Sequence, residues 1–69
     1  MSKEMDFFIY LLEHYAESKG VSANEALREW DERGIVQDVA DSYEMYHAER
    51  LENAFEDIDA MLTTGRHAW

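Results

Sequence analysis

Sixty-nine residues with sixteen Asp and Glu against six Lys and Arg give a formal net charge of −10 and room for one hydrophobic core. The chain has no cysteine, which excludes disulfides and thiolate metal sites. Its acidity opposes direct nucleic-acid binding, which depends on neutralising phosphates, and opposes binding to anionic membrane surfaces. At 46% hydrophobic and 13% aromatic, the composition suffices for a packed core and argues against disorder. The start Met1-Ser2-Lys3-Glu4-Met5-Asp6 lacks the basic opening of a signal peptide, and the apolar run Phe7 to Leu12 is too short to span a bilayer. The expectation is a soluble, cytoplasmic protein.

Proline is absent, and glycines stand at 20, 34 and 65, each after a helix-like stretch. These are the places where a left-handed residue ends a helix. The spacing predicts a first helix over Lys3 to Lys19, capped by Ser2, with Met5, Phe8, Ile9, Leu12, Tyr15 and Ala16 on its inward face. Phe7, Tyr10 and Leu11 lie off that face. They form a candidate interface patch, because aromatic residues beside a core stripe suit protein contacts.

Ser22-Ala23-Asn24-Glu25 reads as a capping box that opens a second helix to about Arg33. Val21 is placed to staple onto Ala26, and Ala26, Leu27 and Trp30 are the expected buried positions. From Ile35 to Thr64 two apolar stripes follow: Val36, Val39, Tyr43 and Tyr46, then Leu51, Ala54, Phe55, Ile58, Met61 and Leu62. The second is rotated from the first, and a straight helix of this length would reach about 45 Å, more than so small a domain holds. A kink is therefore expected near residues 47–50. The predicted fold is all-α, a compact bundle of three to four helices over residues 1–64, with 65–69 a flexible tail in which Trp69 is free to dock.

No constellation reads as a catalytic site, a cofactor site or a metal site. Glu44-x-x-His47 has the spacing of a carboxylate di-iron pair, but such sites need two pairs and further carboxylates. Asp57-Ile58-Asp59 lacks the glycine and loop of a calcium hand. His14 and His67 are far apart in sequence, and no glycine-rich phosphate loop occurs. The reading is therefore a non-enzyme that binds no cofactor or metal.

Acidic residues carry the other signal. Asp38, Asp41, Glu49, Glu52, Glu56 and Asp59 recur mostly at three, four or seven residues, on one side of a near-continuous helix. Neighbours at that spacing lie about 5–6 Å apart at Cβ, near the roughly 7 Å step between phosphates along a nucleic-acid strand. Such a row suits a basic groove that a partner keeps for DNA or RNA. Like charges so placed repel, and only Arg50 interrupts them. The alternative is a solvated helix face that keeps a small protein soluble.

The segments Met5 to Glu13, Leu27-x-x-Trp30, Tyr43-Glu44-x-Tyr46-His47-x-Glu49 and Glu52 to Asp59 together resemble a small bacterial and mobile-element family of helical domains of unknown function. That resemblance spans roughly Met5 to Leu62. Relatives of that family stand beside or are fused to domains similar to ADP-ribosyltransferase toxins, which implies an antitoxin or adaptor role. In size and charge the chain is also similar to phage anti-CRISPR proteins that act as nucleic-acid decoys. The expected function is an inhibitor that occupies a basic, nucleic-acid-binding surface of its partner protein, such as a Cas-type complex. The alternative is an antitoxin or adaptor that neutralises a toxin enzyme through the aromatic patch of the first helix.

Overall fold

Five helices form among the described residues, 2–68, of the computed structural model: α1 (Lys3–Lys19), α2 (Ala23–Glu32), α3 (Val36–Asp41), α4 (Tyr43–His47) and α5 (Leu51–Thr64). Trp69 lies outside the described residues. Ser2 Oγ accepts from the Met5 N–H at 3.1 Å and caps α1. The capping box of α2 is complete, with Glu25 N–H donating to Ser22 Oγ and Ser22 N–H to Glu25 Oε1, both at 3.1 Å.

Gly20 and Gly34 close α1 and α2 in the same way. Each has positive φ, which glycine adopts without steric cost. The following residue then donates back across the helix end: Val21 N–H to the Ala16 carbonyl at 3.0 Å, and Ile35 N–H to the Trp30 carbonyl at 2.9 Å. The second closure carries the buried Ile35 back over Trp30 and starts α3.

The third segment breaks twice. At Ser42 the backbone tightens to φ −89° and ψ 15°, its N–H donates to the Val39 carbonyl at 3.2 Å and its Oγ to the Asp38 carbonyl at 2.8 Å, and this turn separates α3 from α4. The expected break at 47–50 is present: Arg50 is extended, at φ −73° and ψ 147°, and α5 starts again at Leu51. The molecule extends only 27 × 27 × 19 Å, so the chain must reverse there. α5 returns along α3 and α4, which places Tyr46 opposite Asp57 and Asp38 beside Met61 and Gly65.

Trp30 is the centre of the core. Phe8 meets it edge-on at 5.9 Å between ring centroids, and Tyr15 lies at 5.3 Å on another side and reaches Phe55 at 5.6 Å. Leu11, Leu12, Ala16, Ala26, Ile35, Val39, Tyr46, Ala54, Ile58 and Met61 complete the buried set. The inward face of α1 differs in part from the predicted one. Leu11 is inside, only 1% exposed, whereas Met5 and Ile9 face out at 47% and 38%. α2 packs against α1 through Ala26 and Trp30 and leaves Leu27 37% exposed. Val21 also stays outside, so the expected staple onto Ala26 is not supported by burial.

Candidate functional site

α1 and α4 meet at a cluster of five rings. Phe7 packs edge-on against Tyr43 at 5.6 Å and 80°, and lies 6.4 Å from both Tyr10 and His47. His47 stacks on Tyr43 at 4.3 Å and 3°, and its Nδ1 is 2.7 Å from the Tyr43 carbonyl. His14 meets Tyr10 at 4.3 Å. Both imidazoles follow their tyrosine by four residues, the spacing that stacks side chains on one helix face. Tyr10 is 49% exposed and His47 is exposed, while Phe7, His14 and Tyr43 are half-buried. Aromatic pairs in this range each contribute about 0.5–1.5 kcal/mol beyond their burial, so the rings hold one another in place.

Two of the three predicted patch residues are therefore on the surface together, and one is not. Leu11 is a core residue because α1 turns that side toward the interior. His14, Tyr43 and His47 replace it. The signal for them was already present as the pairs Tyr10–His14 and Tyr43–His47, but their meeting with Phe7 requires the packing of α4 on α1. Carboxylates border this surface in sequence: Asp6, Glu13 and Glu17 on α1, and Glu44 on α4, are all exposed.

The acidic row is altered more. Asp38, Asp41, Glu49, Glu52 and Glu56 are exposed, as expected. They do not lie along one near-continuous helix, because the breaks at Ser42 and 48–50 fold the segment back on itself. Asp38 sits at the far end of that hairpin, beside Met61, Gly65, Arg66 and His67, while Glu49 and Glu52 flank the reversal. Several charges are also engaged locally. Asp41 Oδ1 accepts from Gln37 Nε2 at 2.8 Å, and Glu49 Oε1 accepts from Asn53 Nδ2 at 2.9 Å. Asp59 leaves the row altogether, because it accepts from the Tyr15 hydroxyl and from Lys19 Nζ, each at 2.7 Å. That pairing neutralises its charge and fixes α5 to α1.

Asp57 is the residue that the sequence pattern misses. It is fully buried, and its carboxylate accepts from the Tyr46 hydroxyl, from His67 Nδ1 at 2.6 Å and from the Ala68 N–H at 2.5 Å. Burial alone would raise its pKa, but the three donors outweigh burial and hold the carboxyl below its ordinary 3.8. Tyr46 is pushed upward by burial and by the same carboxylate. His67 and Ala68, in a segment expected to form a loose tail, are thus hooked onto the buried Asp57 carboxylate while both stay exposed. Only the long-range pairing reveals this, since no local pattern distinguishes Asp57 from its exposed neighbours.

No described helix is long and apolar enough to cross a membrane. No curated protein and no solved structure matches the chain. A family model matches residues 6–64, and by that coverage the chain belongs to the protein family of unknown function DUF3791.

Proposed function

We propose that this chain is a protein-binding module that seats its α1–α4 aromatic surface on a basic partner protein, as an antitoxin or adaptor does. The observation that carries this reading is the convergence of Tyr10, His14, Tyr43 and His47 around Phe7, which itself rests against the core, with Tyr10 and His47 exposed to solvent. Tyrosine-centred clusters are the usual energetic centres of interfaces. The bordering carboxylates and the −10 charge select a partner rich in Lys and Arg. An arginine guanidinium can stack on Tyr10 while it pairs with Asp6 or Glu13.

A second reading is a decoy that occupies a basic nucleic-acid-binding groove, as an anti-CRISPR protein does. It is favoured by six exposed acids in residues 35–64, Asp38, Asp41, Glu44, Glu49, Glu52 and Glu56, where Arg50 is the sole Lys or Arg. The two readings separate in one comparison on a Cas-type complex and on a candidate toxin enzyme. For the module, Tyr10→Ala weakens binding more than Glu52→Ala, and much of the affinity survives high salt. The reverse order, with binding abolished by salt, identifies the decoy and refutes the aromatic reading.

A further inference from the structure

We infer that the groove between α1, α2 and α3 is a second docking surface, and that it takes the apolar face of a basic amphipathic helix. Two clefts adjoin there and share Val36. One, of ≈ 300 Å³, is floored by Met5, Phe8 and Ala40; the other, of ≈ 410 Å³, is walled by Leu27. Met5, Ile9 and Leu27 have the three-four spacing of core residues, yet the fold turns them outward. Ile9 follows Met5 by one turn on the same face of α1, outside the lining of either cleft. An apolar stripe written at core spacing but left uncovered marks a contact site, and adjoining hollows that share Val36 suit a helix laid across them.

This surface is distinct from the aromatic one. Along α1 the aromatic patch uses Phe7, Tyr10 and His14, whereas the groove uses Met5 and Phe8. The groove's other walls are α2 and α3, and the patch's other wall is α4.

Charge selects the occupant. Glu4 and Asp31 stand at the groove edges against Arg28, within a chain of net charge −10. A second copy would bring a further −10 against this surface, and an anionic bilayer is likewise repelled. A helix with leucines on one side and lysines or arginines flanking them satisfies both the hollows and the rim. With one partner face on each side of α1, the module gains the geometry of an adaptor.

The probe is a synthetic leucine–lysine amphipathic helix of about 18 residues, against the intact chain. A scrambled peptide of the same composition serves as control for charge. The amphipathic peptide is expected to bind saturably and about tenfold or more tighter than the scrambled one, since one well-seated leucine suffices for that ratio. Amide shifts in the unmodified protein should centre on Met5, Leu27, Val36 and Ala40. Leu27→Gln, at an exposed position, should weaken binding several-fold, while Tyr10→Ala leaves it within about twofold. Equal binding of the scrambled peptide overturns the inference. So does a shift pattern centred on Tyr10 and Tyr43, which would leave the aromatic reading intact and place the helix there. Self-association of the chain that Leu27→Gln abolishes would make a second copy the occupant and also overturn it.

Discussion

Two tyrosine–aspartate pairs fasten α5, one on each side, and they differ chiefly in water. Tyr46 and Asp57 bind α5 to α4 in the dry interior, where the tail donors of His67 and Ala68 join them. Tyr15 and Asp59 bind α5 to α1 at the surface, where Lys19 completes the carboxylate and both Lys19 and Asp59 stay about two-fifths exposed. Burial, followed by the partner carboxylate, raises the tyrosine pKa in each pair. The carboxylates diverge. A dry carboxylate is tolerable only when its lone pairs are filled, and His67 and Ala68 supply two of the donors that fill them at Asp57. At the wet site solvent can replace any lost partner.

The sharpest way to break this contrast is Asp57→Ala. It strands the Tyr46 hydroxyl in the core and frees the tail, and should cost about 3 kcal/mol. For a domain of this size that lowers the thermal midpoint by roughly 12 °C or more. Urea denaturation measures the loss, and a cost below that of Asp59→Ala would invert the ranking of the dry and wet anchors.

Acid should separate the two anchors next. The Asp57 carboxyl titrates near 3.8 when unfolded and lower when folded, so the native state holds fewer protons between those values. Its contribution is complete above the unfolded value and disappears as the pH falls through the folded one. The stability gap between the wild-type chain and Asp57→Asn should therefore narrow on acidification below about pH 4.5. Subtracting the variant cancels the other carboxylates. A gap that stays constant to about pH 2.5 contradicts a depressed Asp57. Asp59→Ala removes a half-exposed hydrogen bond and ion pair, and should cost only about 1 kcal/mol in the same urea measurement.

How far the sequence predicts this molecule follows from the range of each interaction. The capping box at Ser22 and the glycine stops at 20 and 34 are local, and appear where expected. The reversal at 47–50 was legible because two rotated stripes cannot share one straight helix inside a small domain. The break at Ser42 was not, since a serine within a helical pattern has other options: Thr63 makes the same back-bond inside an unbroken α5. On α1 the pattern places Phe8, Leu12, Tyr15 and Ala16 inward as found, and misplaces only Met5, Ile9 and Leu11. A helix apolar almost all round has no preferred side until Trp30 and Tyr46 arrive from elsewhere. Asp57 and Asp59 looked like surface acids, because their partners lie 11 and 44 residues away.

The smallest expected stability effect tests the carboxylates that anchor nothing. Glu52 and Glu56 are exposed on α5, and the nearest cation to Glu52 is Arg50, at 3.7 Å between two well-solvated side chains. Charges so placed contribute about 0.3–0.5 kcal/mol each, so Glu52→Lys with Glu56→Lys should shift the urea midpoint little. Asp38→Lys is a different case despite equal exposure, because Asp38 shares a hollow with Arg66 and His67 at the hooked tail. A lysine there faces the tail arginine and should loosen the hook, with a loss larger than at Glu52. If all three reversals are equally silent, the tail does not depend on its surroundings and Asp57 alone retains it. If Glu52→Lys matches Asp59→Ala in cost, the distinction between anchoring and free carboxylates on α5 fails, and the acidic surface has a structural role that its exposure conceals.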